Sequence, residues 1–191
     1  MHLDGRGTWM PQLKRKPVKP TAMSDMPAFS ETVACIREHL PGIDLTRPRW
    51  DTNSLIIDAS DDAGYPVILR ADARSLKVEH SFWHDRFGSA EEAAKCFILG
   101  LTPAAYLEVS VKGRSPYKWT MFTHANGEWA SIGHVHLMIY PYWRRPRVRS
   151  FQNAWTSIAP LRPWVGEQFA DAPRAGLGPD RSITRIESGG A

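Results

Sequence analysis

The chain has 191 residues, of which 42% are hydrophobic and 23% charged, so it is long enough for one globular domain with its own core. Its net charge of +4 is uneven: residues 26–143 contain 11 basic and 14 acidic side chains, and the positive excess comes from the two ends. This distribution excludes a domain that is basic over its whole folded surface. We find no secretory signal and no apolar run of about 20 residues, so we expect a cytoplasmic protein without membrane association.

Composition divides the chain into three parts. Residues 1–27 combine four prolines with a basic cluster and predict a disordered basic tail. Residues 28–157 carry the periodic apolar patterns and predict one α+β domain. Residues 158–191 are rich in proline and glycine and predict a flexible, mostly irregular tail. Three apolar residues of that tail are expected to dock locally: Trp164, Val165 and Phe169.

The first half of the domain predicts one helix and three strands. The helix is expected over 30–40, with Ser30 as its N-cap and an apolar stripe at helical spacing. Short apolar or alternating runs predict strands over 54–59, 66–72 and 75–83. In the third of these runs one face carries Leu76, Val78, His80 and Phe82.

The second half predicts a helix followed by three more strands. Ser89 and Glu92 form the S-x-x-E pattern of a capping box at the start of the helix, and Gly100 marks its end. Strands are expected over 105–113, 116–123 and 134–143, with a hairpin turn at Asn126-Gly127. A strict two-residue turn would mix the faces of the last two strands, so we expect one bulge, at Gly133. The order αβββαβββ indicates a single antiparallel-rich sheet of five or six strands with helices on one face.

The two cysteines fall within the predicted helices. Cys35 and Cys96 both have apolar neighbours, so we interpret them as small hydrophobic side chains. A disulfide would require their Cα atoms to lie within about 7 Å of each other.

Motifs for catalysis and metal binding are weak. His134 and His136 project from one face of a predicted strand and are candidate metal ligands, but nothing in the sequence fixes a third ligand, and the alternative is a pair of solvent-facing side chains. The segment "DASDDAG" (58–64) resembles a calcium loop only in its first positions, and a tight turn explains its composition better. No nucleophile elbow, phosphate loop or dinucleotide fingerprint occurs. We therefore expect no cofactor, no metal and no catalytic residue.

The segment "WHDRF" (83–87) lies between a predicted strand and the capped helix. Its polar residues would then sit near a helix N-terminus, a position that favours anions. One interpretation is a small anion- or peptide-binding corner that includes His84 and Arg86. The alternative is local ion pairing of Asp85 with Arg86 or His84.

The segment "PYWRRPRVRS" (141–150) is the principal candidate for binding. Pro141 and Pro146 confine a strand here to a sheet edge, and an extended chain places alternate arginines on one side. Arginine and aromatic side chains are enriched at protein interfaces, they also bind single-stranded nucleic acid, and charge and proline also protect sheet edges. The residues of this candidate strip are Tyr142, Trp143, Arg144, Arg145, Arg147 and Arg149.

These observations favour a non-enzymatic binding domain. Our first hypothesis is protein–protein recognition through the candidate strip, in an immunity-like or adaptor-like role. The second is an accessory protein that binds single-stranded nucleic acid through the same residues. The third is a metal-dependent hydrolase that uses His134 and His136.

Overall fold

The computed structural model describes six stretches of the chain: 27–40, 49–51, 53–72, 75–138, 143–172 and 181–182. Within these ranges the chain forms two antiparallel sheets, with helices packed against the first, which confirms the α+β class. The strands belong to two sheets of five rather than to the single predicted sheet, because a helix and a loop separate the two sets of hairpins along the chain. The predicted N-terminal tail lies almost wholly outside the described residues.

Sheet 1 is an antiparallel meander in which every strand pairs with its neighbours in sequence. Its strands are β1 (Arg49–Asp51), β2 (Ser54–Ile57), β3 (Val67–Ala71), β4 (Leu76–His80) and β5 (Trp83–Phe87). The run predicted as one strand over 75–83 is a hairpin instead, because Ser81 adopts a φ of 58° and reverses the chain. Leu76, Val78 and His80 are buried as predicted, whereas Phe82 lies at the turn and is 66% exposed.

Sheet 2 has the order β10-β9-β6-β7-β8. Its strands are β6 (Ala105–Lys112), β7 (Ser115–Ala125), β8 (Glu128–His136), β9 (Pro146–Phe151) and β10 (Arg181–Ser182). The strand predicted at the edge, β9, has β6 on one side and two residues of β10 on the other, so the edge prediction is wrong. Pro146 is tolerated because it is the first residue of the strand.

The predicted bulge in β8 is confirmed. Asn126 and Gly127 form the turn with φ values of 54° and 83°. Met121 then pairs with Gly133 while Phe122 pairs with Ser131, so that one extra residue lies between the two pairs. The backbone of Gly133 has a φ of +154°, and a Cβ there would lie 3.5 Å from the indole nitrogen of Trp83. The backbone conformation favours glycine at this position, and the residue lies beside Trp83 where sheet 1 packs against sheet 2.

The helices are α1 (Pro27–His39), α2 (Ala90–Leu99) and α3 (Arg162–Val165). The start predicted for α1 is wrong: Pro27 opens the helix, since proline fits the first helical turn, and Ser30 lies inside it. The start predicted for α2 is confirmed, because Ser89 accepts a hydrogen bond from the backbone N–H of Glu92. Helix α2 packs between α1 and sheet 1. No helix in the described ranges is long and apolar enough to cross a membrane.

A buried asparagine joins the two halves of the domain. Asn153 follows β9 and is fully buried. Its Oδ1 accepts hydrogen bonds from the backbone N–H groups of Ser60 (3.3 Å) and Tyr65 (3.2 Å). Its Nδ2 donates to the carbonyl oxygens of Tyr65 (2.8 Å) and Gly100 (2.9 Å). We call this set of contacts the Asn153 junction; it connects the end of β9 to the turn before β3 and to the C-terminus of α2.

Neighbouring residues strengthen the Asn153 junction. A Cβ on Gly64 would lie 2.4 Å from the Oδ1 of Asn153, so only glycine permits this approach. The backbone of Gln152 donates to the carbonyl of Ala63, and the Trp155 indole donates to the carbonyl of Asp58. The turn at 58–64, which its composition predicted, is thus held at both of its ends by the segment that follows β9.

The described part of the predicted C-terminal tail continues the domain. Residues 158–172 form a 3₁₀ turn (Ala159–Leu161) and α3, and four of their side chains are buried: Ile158, Leu161, Val165 and Ala172. Trp164 stacks on His39 of α1 with a centroid separation of 3.8 Å. Residues 173–180 and 183–191 lie outside the described residues.

His80 is a titratable residue in the centre of the core. Its ring lies between Trp83, with a centroid separation of 5.2 Å, and the Sδ of Met121, 3.4 Å from its Nδ1. A Cβ on Gly100 would approach its Nε2 to 2.5 Å, so the end of α2 closes over the ring. Burial lowers the pKa of His80 to about 3.

We expect removal of the Asn153 side chain to destabilise the domain severely. Asn153→Ala removes the hydrogen bonds of four backbone groups, three of them buried, and we expect a loss of about 3–5 kcal/mol in the free energy of unfolding. Asn153→Asp keeps the shape but places a carboxylate against two carbonyl oxygens, so it should not restore stability. Urea denaturation measures both variants, and the exposed amide replacement Gln168→Ala is the control. A loss below 1 kcal/mol for Asn153→Ala would contradict this role.

His80 makes stability depend on pH. Above pH 6.5 neither state holds a proton on His80; between pH 6.5 and about 3 only the unfolded state does, so stability falls as the pH is lowered. Between pH 6.5 and pH 5, His80 lowers the free energy of unfolding by about 2 kcal/mol. Urea denaturation at several pH values should show that the free energy of unfolding falls less for His80→Leu than for the wild type over this range. The control His84→Gln, at an exposed site, should lose as much as the wild type. A difference between wild type and His80→Leu that does not vary with pH would refute the assignment.

Candidate partner-binding surface

The tight turn between β6 and β7 brings together basic side chains from two parts of the chain. Gly113 adopts a φ of +66° in this turn. A Cβ on it would lie 2.6 Å from the Cδ of Arg144, so the arginine side chain lies directly over the glycine. The segment that precedes β9 is thereby held against the β6–β7 turn, which carries Lys112 and Arg114.

A cleft of about 540 Å³ opens beside this turn. Its lining residues are Lys112, Arg114, Ser115, Trp143 and Arg144. The Nζ of Lys112 lies 5.4 Å from the centroid of the Tyr117 ring. Trp143 is 72% exposed, so a large aromatic side chain stands in water beside several cations. We call this the basic cleft.

The residues of the candidate strip lie in two different places. Trp143 and Arg144 line the basic cleft, and Arg145 is exposed just before β9. Arg147 and Arg149 alternate with the half-buried Pro146 and Val148, as the extended pattern predicted. They pair with Val111 and Val109 of β6, so both arginines lie on the face of sheet 2 that is directed towards sheet 1. Tyr142 lies outside the described residues.

Four arginines of this region have no ion pair within the described part of the chain. There, no ion pair is formed by Arg114, Arg144, Arg145 or Arg149. On sheet 1, by contrast, Glu79 pairs with Arg70 at 3.1 Å and with Lys77 at 3.2 Å. We use the term basic surface for the half-buried Lys112 and six exposed residues: Arg114, Trp143, Arg144, Arg145, Arg147 and Arg149.

The residues of "WHDRF" lie on a different part of the molecule. His84 and Arg86 project from β5 on the same face as Glu79 and Lys77. Arg86 donates to the carboxylate of Asp72 and, at 3.0 Å, to the hydroxyl of Ser75, so its charge is already paired. The nearby first turn of α2 contains Glu91 and Glu92, which disfavour a second anion there. The geometry supports local ion pairing, but the partner of Arg86 is Asp72 and not the predicted Asp85.

His134 and His136 lie on the outer face of sheet 2, opposite Thr120 and Lys118. Both are exposed, and their rings stack with a centroid separation of 5.7 Å. Within the described ranges, no group of three His, Cys, Asp or Glu side chains is placed to hold one metal ion. In the turn at 58–64, the carboxylate of Asp61 accepts a hydrogen bond from the backbone N–H of Ala63 at 2.9 Å, which is a side-chain-stabilised turn.

The sequence analysis missed a second cavity, of about 560 Å³, on the inner face of sheet 2. Val109, Val111 and Trp119 line it from β6 and β7, and Phe151 lines it from β9. Phe82 reaches it from the turn of sheet 1, with its ring 4.8 Å from that of Trp119. Arg114 and Arg149 are also in its wall. We call it the apolar cavity; Arg114 is common to it and to the basic cleft.

The pattern of alternation in β6 predicted which side chains face inward, but not that some of them would line an open cavity. That outcome depends on how far the β4–β5 turn extends over sheet 2, which no local pattern specifies.

Comparison with known proteins identifies no relative. No family model matches the chain, and neither a curated protein nor a solved structure is significantly similar to it.

Proposed function

We propose that this protein is a non-enzymatic recognition domain that binds an acidic surface of a partner protein through its basic surface. The observation that carries the proposal is the grouping of Arg114, Arg144, Arg145 and Arg149 without an ion pair in the described structure. Unneutralised charge of one sign, concentrated on one part of a domain, attracts a partner of opposite charge and orients its approach.

The aromatic residue that lines the basic cleft supports a protein as the partner. Trp143 exposes 72% of its surface next to Arg144. Tryptophan and arginine are the residues most enriched among those that dominate binding energy at protein interfaces. Burial of the indole would increase the affinity, and the charges would supply the specificity. This combination suits an adaptor-like or immunity-like role.

The distribution of charge along the chain also supports a local contact. Residues 26–143 carry a small acidic excess, so the basic surface is a restricted positive region on a domain that is otherwise not basic. A nucleic acid would be expected to follow a longer positive track. Both cysteines are free thiols, which suits the reducing cytoplasm that we propose as the location.

The alternative is single-stranded nucleic acid, and one observation favours it. An exposed indole beside arginines is the arrangement on which bases stack and phosphates are neutralised. The structure offers no comparable support for a metal-dependent hydrolase, because His134 and His136 have no third ligand group within the described residues.

The proposal predicts a specific loss of association when two cations are removed. Arg144→Ala combined with Arg145→Ala should leave thermal unfolding unchanged, since exposed charges contribute little to stability. It should slow association with a partner captured from the native host and weaken the dependence of the on-rate on salt. The control removes the same net charge elsewhere, with Arg37→Ala and Arg70→Ala, and its thermal unfolding shows whether loss of the Arg70–Glu79 ion pair affects the fold. Surface plasmon resonance at several ionic strengths measures the on-rate of each double variant. Equal effects of the two double variants would exclude the basic surface as the binding site.

Titration with single-stranded oligonucleotides separates the two hypotheses. If three or four arginines neutralised phosphates, the logarithm of the binding constant would fall with the logarithm of salt concentration with a slope of about −2 to −3. Trp143→Ala would then weaken binding by about 1–3 kcal/mol. We expect instead only non-specific binding, with a Kd of about 10⁻⁴–10⁻⁶ M at physiological salt. Submicromolar binding that depends on Trp143 would establish nucleic acid as the ligand.

A further inference from the structure

The apolar cavity combines two kinds of surface that a single ligand must match. Its floor is apolar and rigid, because Val109, Val111 and Trp119 belong to paired strands and are themselves largely buried. Phe82 stands at its border with most of its ring exposed. An exposed aromatic ring beside an apolar floor can bury one further apolar group.

The same cavity contains two cations. Arg149 extends from β9 on the apolar face of sheet 2, where its paired neighbour is Val109. Arg114 reaches the cavity from the β6–β7 turn. Neither forms an ion pair in the described structure. A planar guanidinium binds a carboxylate through two parallel hydrogen bonds, so this wall is suited to a carboxylate.

An apolar group and a carboxylate must therefore occur within a few ångströms of each other in the ligand. The last residue of a protein has this chemistry, because its side chain and its free carboxylate are attached to the same carbon atom. A volume of about 560 Å³ lies within the range of ligand sites in proteins and admits a chain end, whereas a folded surface cannot enter it.

We propose that the apolar cavity receives the C-terminal end of the partner chain, with an apolar or aromatic last side chain over Val109, Val111 and Trp119. Its carboxylate is held by Arg149 and Arg114. This inference rests on the proposed function and specifies which part of the partner is recognised. Because Arg114 lines both sites, acidic residues that precede the chain end would lie along the basic cleft.

N-acetylphenylalanine is the simplest probe of this site. Calorimetric titration should detect its binding, and its amide, which lacks the carboxylate, should bind about tenfold more weakly, as expected for loss of a charged hydrogen-bonded pair. Arg149→Gln should weaken binding of the acid and bring it closer to that of the amide, since only Arg114 then faces the carboxylate. Arg145→Ala should not change it, because Arg145 does not line the cavity. Near-ultraviolet circular dichroism establishes that each variant keeps its fold.

A peptide that ends in Asp-Glu-Asp-Phe distinguishes a chain end from a free small acid. It should bind at least tenfold more tightly than N-acetylphenylalanine at low salt, because its acidic residues reach the basic cleft, and Arg144→Ala should remove part of that gain. Equal affinities of the peptide and N-acetylphenylalanine would overturn the assignment to a chain end. Equal affinities of the acid and its amide, or no loss with Arg149→Gln, would overturn the carboxylate site itself. Those results leave the test of the basic surface with Arg144→Ala and Arg145→Ala unaffected, so the two proposals fail separately.

Discussion

The hydrogen bonds of Asn153 are the constraint on which the arrangement of the two sheets depends. One side chain, from the segment after β9, satisfies backbone groups of the turn before β3 and of the C-terminus of α2, and all four of its hydrogen bonds go to such groups. Backbone groups buried at such a junction require partners, because an unpaired one costs free energy comparable to a lost hydrogen bond. The contact of the His80 ring nitrogen with the sulfur of Met121 and the position of Trp83 beside Gly133 then fix how the inner faces pack.

That relative position produces the features proposed for binding. The β4–β5 turn extends over sheet 2 far enough to bring Phe82 to Trp119, and the cavity beside it is lined by the largely buried Val109 and Val111. The segment before β9 crosses the β6–β7 turn because Gly113 has no side chain to obstruct Arg144. The cations are thereby concentrated at one end of sheet 2, apart from the ion pairs of Arg70, Lys77 and Glu79 on sheet 1.

Features determined by neighbouring residues could be predicted from the sequence, and features determined by contacts between distant residues could not. The Ser89 cap, the Asn126-Gly127 turn and the bulge at Gly133 each follow from a few adjacent residues. Asn153 gave no comparable signal, because its partners lie 53 to 93 positions away along the chain. The exposure of Phe82 was missed because alternation continues through Ser81, where the backbone turns. Alternation of Arg147 and Arg149 was predictable, but their position on the inner face depends on the register between β6 and β9.

The central claim is that the basic surface is where a partner protein binds. Hydrogen exchange measured by mass spectrometry, with and without the captured partner, tests it most directly, because it locates the contact without any substitution. We expect slower exchange in 112–115 and 143–149 on binding, and little change in the face of sheet 1 that carries Arg70 and Glu79. Protection confined to sheet 1 or to α1, with unchanged exchange around Trp143, would contradict the account.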